Sequence, residues 1–418
     1  MTTPLPPHGW DPDRVAAALA QLGEGDVRWR EGRAFSLVYS AGPEVAAVAD
    51  DASRRYGAAN ALNVEAFPSL AAMQRDVVAA VAGWVGAPPD AAGYLTSGGT
   101  ESILMAVLGA RERHRTERGI TSPNVVLATS AHAAFSKACH YFGLEERRVA
   151  VRGDWRADPE AMAAACDDAT VLVVASAPSY PQGVVDDVPA IAALAGRLGA
   201  NCHVDACMGG VTLPHLARLG HLVSPWGLEV PGVSSVSVDL HKYGYTAKGA
   251  SVIVWRDRAL RRWQTYATDD WLGGRYGSSG VLGTKSGGPI AAAWAVMHHL
   301  GDDGYLRLAR EARAATERLC EAVGDMHGGR MLRVMAPPDA TLVAIEAVPG
   351  SGVDPWAVAE ELWRRGWWVD RQGPPPSIHL TVNAIHGAVM DDFVAELRSA
   401  VEAIVGCSGS AGVYGTAD

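Results

Sequence analysis

The stretch SVSVDLHKYGYTAKGASVIVW, residues 235–255, decides the fold. Two short β-branched runs, Val233–Val238 and Ser251–Trp255, bracket a turn that carries His241, Lys242 and Lys248. Runs of that length, bounded by small and polar residues, read as strands. Lys242 comes directly behind an apolar strand and beside Tyr243, which is no routine place for a surface lysine. Desolvation and nearby cations lower an ammonium's pKa and leave an amine able to form an imine. The bland alternative is a strand-end lysine whose head snorkels to water. His241 reads either as an orienting partner or as a satisfied core histidine. Lys248 reads as a cation for a substrate anion or as a solvated turn residue before Gly249.

Outward from this unit, the pattern repeats. Upstream strands are expected at Val125–Ala128, Val171–Ala175 and Cys202–Val204, with amphipathic helices at Glu101–His114, Ala133–Phe142, Pro159–Cys166 and Val188–Leu198. Such alternation predicts an α/β domain, a mainly parallel sheet wrapped by helices, over residues 81–300. Helical spacing at 11–24, 43–58 and Pro68–Val85 marks residues 1–80 as an N-terminal helical segment. A glycine-rich stretch from Trp271 to Gly288 precedes a helix at Pro289–Leu300. Residues 301–408 read helix, strand (Thr341–Ile345), helix (Pro355–Arg365), strand (Ile378–Val382), helix (Met390–Ile404), a smaller C-terminal α+β domain. Residues 409–418, small and polar, are expected to form a flexible tail.

Open α/β sheets bind ligands beyond the carboxyl ends of their strands. His132, Ser176, Asp205 and the His241-Lys242 pair each follow a strand, so distant positions converge. Ser97-Gly98-Gly99-Thr100-Glu101-Ser102 opens a helix. Two glycines let the backbone approach a ligand, and the helix start favours an anion such as phosphate. Taken alone, the motif is equally a capped helix start. Asp205 reads as a metal ligand, a general base or a cap, or, in a pyridoxal site, as the partner that keeps the ring nitrogen protonated. His132 in SAHAAF (130–135) is a stacking ring or a cap.

Composition narrows the classes. A formal charge of −10 without a basic block argues against nucleic acid or an anionic membrane as partner. The start lacks a signal peptide's charged and apolar regions, and no apolar run is long enough to span a bilayer, so a cytoplasmic protein with no membrane contact is expected. The six cysteines are scattered without a CxxC pair, which points to reduced thiols and to no metal site.

With these residues in hand, the chain resembles the fold-type I pyridoxal 5′-phosphate (PLP) enzymes of the group II decarboxylase superfamily, and within them the sphingosine-1-phosphate lyase family. The resemblance is carried by TSGGTESILMA (96–106), SAHAAFSKA (130–138), SAPSYPQGVVDDV (176–188), HVDACMGG (203–210), DLHKYGYTAKGAS (239–251) and DWLGGRYGSSGVLGTKSGG (270–288). It implies PLP held by Lys242 as a Schiff base, by Asp205 at the pyridinium and by His132 over the ring. Ser97, Gly98, Gly99, Thr100, Ser176, His241 and Gly288 complete the implied cofactor contacts. Tyr180 and Lys248 are implied active-site residues, and one or the other is the expected proton relay. Tyr39 matches a tyrosine that reaches into a partner's site, and Ser278 a serine near the substrate phosphate. A homodimer with shared sites, to which residues 1–80 contribute, follows from the same resemblance. Two segments depart from the family pattern. Asn-Pro-Leu-His-Pro reads Asn60-Ala61-Leu62-Asn63-Val64, which puts Asn63 where the family has a phosphate-binding histidine. Gly-Ser-Arg-Pro-Gly reads Gly283-Thr284-Lys285-Ser286-Gly287. A neutral acceptor at 63 suits a smaller or more polar ligand.

The expected reaction is cleavage of a carbon–carbon bond in a small-molecule amine. In the first reading a β-hydroxyamine or phosphorylated amino alcohol undergoes retro-aldol cleavage to an aldehyde. In the rival reading an L-amino acid loses CO2. The same residues serve both, because the bond held perpendicular to the cofactor ring is the one that breaks, and binding groups choose it.

Overall fold

Strands covered on both faces need side chains that are apolar in both directions, and the chain supplies several such runs. The computed structural model describes residues 5–415. In it β1 (Ala92–Thr96), β2 (Asn124–Ala128), β3 (Glu145–Val149), β4 (Thr170–Ser176), β5 (Asn201–Asp205), β6 (Ser235–Asp239) and β7 (Ser251–Trp255) form one sheet. Its order is β1-β7-β6-β5-β4-β2-β3. β2 to β6 pair in parallel, and β7 runs antiparallel to both its neighbours. The period of two shows within β2: Val125 and Leu127 join one hydrophobic core, Val126 and Ala128 the core on the opposite face. Five strands lie where the sequence predicts them. β1 and β3 were not anticipated, because each is a sheet edge and is only partly buried. The charged β3, EERRV, carries no apolar run for a pattern to catch.

The helix expected to end at Leu300 continues to Asp325, broken only at Gly301 (φ 58°, ψ −175°). That positive φ favours glycine. Before the break, Ile290 and Val296 pack into the large core; after it, Ala315, Leu319 and Val323 belong to the core of the small domain. A hairpin pairs β8 (Tyr266–Thr268), just ahead of the glycine-rich stretch, with β9 (Tyr276–Ser278) inside it. The small domain is an antiparallel sheet of β10 (Leu332–Val334), β11 (Leu342–Ala347), β12 (Asp370–Gln372) and β13 (Ser377–Thr381), in the order β10-β11-β13-β12, packed on helices Pro355–Arg364 and Met390–Ala403. Phe35 is fully buried in this core, and the Phe35 N–H donates to the Trp368 carbonyl at 2.9 Å. Burying such a ring stabilises by about 2–3 kcal/mol. The N-terminal segment is thereby held on the small domain before it runs past Tyr39 toward the large one.

Candidate active site

Thr96, Ser176, Asp205 and Asp239 are the last residues of β1, β4, β5 and β6, whose parallel sense brings them to one edge of the sheet. A cavity of about 450 Å³ opens there. Its walls include Ser97 to Thr100, His132, Tyr180, Asp205, His241, Lys242 and Lys248, so most of the expected site residues meet in one place.

Lys242 donates from Nζ to Asp239 Oδ2 at 2.8 Å. An apolar setting alone predicts a depressed ammonium; the carboxylate three residues upstream reverses that. Burial does push Lys242 down, but Asp239 outweighs it and holds the amine well above the ordinary lysine range. Burial pushes Asp239 up in turn, and Lys242 and His241 override that to leave it at about 2. Asp239 Oδ1 is buried without a hydrogen-bond partner. The available signal was a strand-end acid one turn before the lysine.

His241 Nδ1 lies 2.8 Å from the Ala250 carbonyl, which can only accept, so that nitrogen carries the proton. Its Nε2 faces Asp239 at 3.7 Å. Asp205 Oδ1 accepts from Cys207 N at 3.1 Å and Ser237 Oγ at 3.2 Å, while Oδ2 receives no bond among the described residues. His132 Nδ1 accepts from Ala134 N, and burial lowers its pKa, so the ring is neutral. Tyr180 donates to Asp370 Oδ2 at 2.8 Å. Burial and then Asp370 hold its proton firmly, with the phenol pushed well above its usual pKa. Lys248 behaves oppositely. Its side chain stays in reach of solvent, yet desolvation by the surrounding cavity wall, with Lys242 adding, lowers it to about 8, and its Nζ donates to the His241 carbonyl at 3.3 Å. Of the two expected relays, Lys248 is the one able to shed and regain a proton near neutral pH.

Several expected residues stand elsewhere or turn their polar groups away from the cavity. Tyr39, implied to reach into a partner's site, packs behind the wall of its own chain's cavity without lining it, with its hydroxyl 3.7 Å from Met208 Sδ and its ring 5.2 Å from Lys248 Nζ. Segment 34–39, tied to the small domain, carries it there. Ser97 turns its hydroxyl and its N–H to Glu101 Oε2, both at 2.6 Å, so that oxygen is engaged inside the loop. Ser176 is buried under the cavity floor, with its N–H on Asp186 Oδ2, and lines no part of the cavity. Gly288 sits at a helix crossing, where an added Cβ would come 3.1 Å from the Ser53 carbonyl, and not at the cavity. Ser278 lines a second cavity, of about 400 Å³, with Arg261 and Lys285; Asn63 lies in the loop beside it and accepts from Glu65 N. One chain does not bring Asn63 or Ser278 to its own Lys242.

The Lys242 cavity suits PLP. The helix Gly99–Arg118 starts without a side-chain cap, so its first N–H groups are available to a phosphate. Gly99 is required: a Cβ there would stand 2.8 Å from both Asp239 Oδ2 and Cys207 Sγ. An amine for an aldehyde, a carboxylate for a ring nitrogen and an anion cradle thus share one space. The model of the pyridoxal-dependent decarboxylase conserved domain matches residues 21–343. The chain belongs to this family. Within it, the chain is 35% identical over 405 residues to the sphingosine-1-phosphate lyase of Arabidopsis thaliana, covering 94% of this chain and 73% of that protein. Identity to sphingosine-1-phosphate lyase 1 of Rattus norvegicus is 33% over 421 residues, or 99% and 73% of the two chains. The solved sphingosine-1-phosphate lyase of Burkholderia pseudomallei superposes with a TM-score of 0.90 at 33% identity, covering 96% of this chain and 93% of that one. As a member of the family, this chain is a PLP-dependent lyase of fold type I, as the sequence resemblance implied.

Proposed function

We propose that the chain cleaves a phosphorylated amino alcohol between the carbons that bear its amine and its hydroxyl, releasing an aldehyde. The observation that carries this reading is Lys248, a second lysine in the wall of the cavity that holds the Lys242–Asp239 pair, solvent-accessible and lowered to about 8. A retro-aldol cleavage needs a group that takes the hydroxyl proton at neutral pH, whereas loss of CO2 needs none. The kinship with the plant, animal and bacterial sphingosine-1-phosphate lyases supports the same substrate class.

When bound, PLP supplies the electron sink that makes a bond at the amine-bearing carbon breakable. The residues do the rest. The start of the helix Gly99–Arg118 and Thr100 hold the cofactor phosphate. Asp205 keeps the ring nitrogen protonated, and His132 covers the ring. Lys242 provides the amine that anchors the cofactor, with its charge balanced by Asp239. Lys248 takes the hydroxyl proton, and Tyr180, fixed by Asp370, orients the substrate.

Loss of CO2 from an L-amino acid is the second reading. It is favoured by the 30% identity over 318 residues to a probable L-tyrosine/L-aspartate decarboxylase of Methanothermobacter thermautotrophicus. Incubating PLP-loaded enzyme with phosphorylated amino alcohols and with amino acids separates the two. Aldehyde formation is expected; CO2 release without aldehyde would overturn the proposal.

A homodimer is part of the proposal. Asn63 and Ser278 stand away from their own Lys242, and helix Pro12–Leu22 exposes Leu19 and Leu22 with none of its residues buried. A second copy would cover such surfaces and would give Asn63 and Ser278 a site to serve. A cytoplasmic location, in keeping with the scattered free cysteines, completes it. Sedimentation tests the first and cell fractionation the second.

A further inference from the structure

The segment after the last helix behaves unlike a loose end. Gly409 N donates to Asp354 Oδ2 at 2.8 Å. Ser410 donates from N and Oγ to Glu360 Oε1 at 2.9 and 2.7 Å, while Arg371 Nη1 donates to the Ser410 carbonyl at 2.9 Å. Two glycines are needed for this close approach. A Cβ at Gly409 would stand 2.3 Å from Ala357 N, and one at Gly412 would stand 2.9 Å from Arg371 Cβ. So anchored on the small domain, the strap delivers Tyr414 to the Lys242 cavity, whose wall it joins. The Tyr414 hydroxyl lies 3.5 Å from His132 Nε2, and its ring centre is 5.8 Å from that of His132 and 5.3 Å from that of Tyr180. The Tyr414 side is thus a wall of three rings. Tyr414 nonetheless keeps 57% of its surface open, leaving a face for a ligand to cover.

We infer that the C-terminal strap is a working wall of the active site and that Tyr414 is a specificity-determining residue, its ring closing the cleft beside His132 and Tyr180 and limiting the bulk a substrate carries there. The inference rests on the reading that the cleft around Lys242 holds the amine. A wall of this kind also shields the bound cofactor from outside reagents.

The test uses the PLP-loaded full-length enzyme, a chain ending at Ser408, and the variants Tyr414→Ala, Tyr414→Phe and Gly409→Val, the last of which undocks the strap while keeping the tyrosine. Two quantities are read: the rate at which hydroxylamine strips the visible cofactor band, and KM against kcat for phosphorylated amino alcohols of increasing bulk. The truncated chain, Tyr414→Ala and Gly409→Val are expected to lose the band at least about fivefold faster and to favour bulkier substrates through KM, with kcat changed less. Tyr414→Phe keeps the ring and is expected to match the wild type in both. Wild-type band loss and substrate preference in the truncated chain would overturn the inference. So would a Tyr414→Phe enzyme as altered as Tyr414→Ala, since the ring would then not be the operative part. Should the wild type cleave no phosphorylated amino alcohol while still binding PLP, the proposed reaction fails, but the hydroxylamine comparison still decides the strap's role.

Discussion

Two cavities of similar size each hold a lysine, a tyrosine and a serine, yet their chemistry differs. At the sheet edge, Lys242 is paired with a buried carboxylate, and a second lysine is depressed nearby. In the other cavity Lys285 donates only to neutral oxygens, the Leu95 carbonyl at 2.9 Å and the Tyr94 hydroxyl at 3.4 Å, and burial lowers its pKa. Residue type does not set the difference. Position does: two strand ends place Asp205, Asp239 and the turn carrying Lys242 around one point, whereas Lys285 sits on a loop with no acid in hydrogen-bonding reach. The first cavity is built to hold and move charge, the second to present a cation to whatever enters.

Substitutions sharpen that contrast. Lys242→Ala is expected to cost more than about 1,000-fold in kcat and to abolish the visible band formed with PLP; an enzyme retaining both would remove the first cavity from the chemistry. Asp205→Asn keeps the shape but loses the charge opposite the ring nitrogen, and about a 100- to 1,000-fold loss in kcat is expected, measured at saturating PLP so that weaker binding is not mistaken for it.

Lys248 has a pH signature. With a pKa of about 8, its free amine is the minority form below pH 8, so kcat/KM should climb with pH through that value and then level. Lys248→Met should lower the rate at pH 7 by about 100-fold and flatten the climb. A climb that survives the substitution belongs to another group.

Asp239 is tested through stability. Its folded pKa, about 2, lies below the ordinary carboxylate value, so the stabilisation is present at neutral pH and is lost as pH falls from about 4 through 2. That shift corresponds to about 2 kcal/mol. Asp239→Asn should therefore unfold at lower urea than the wild type at pH 7, with the gap closing toward pH 2. A gap independent of pH would assign the loss to packing. The smallest effect is expected in the second cavity. Lys285→Ala should raise KM for a phosphorylated substrate by about tenfold with kcat nearly kept, the mark of uniform binding. An unchanged KM would separate that cavity from the substrate.

Much of this was legible in the chain. Five of the seven large-sheet strands are short apolar runs buried on both faces, and such runs announce themselves. β1 and β3 did not, because an edge strand carries only part of that signal. The Gly98-Gly99 helix start, Asp205, His132 and Lys242 stood out because each departs from its surroundings at the end of a strand. Asp239 was overlooked although it lies in the same motif, since its role is defined by a distance to Lys242 that a linear reading does not measure. Tyr414 was further from view: small polar residues in a terminal segment are the pattern of a free tail, and nothing local shows that Glu360, Arg371 and Asp354 are waiting to bind it.

What the sequence determined by itself was periodicity and local chemistry: the α/β alternation, the anion-ready helix start and the amine behind an apolar strand. Those depend on neighbours a few residues away, which the chain states outright. Only the tertiary structure decided which charges meet, that Lys242 is held protonated by Asp239, that Lys248 is lowered to about 8, that Tyr414 joins the cleft wall and that Tyr39 packs behind it against Met208 and Lys248. Burial and Coulomb interaction depend on separation in space, and residues hundreds of positions apart become neighbours only once the strands have aligned their ends.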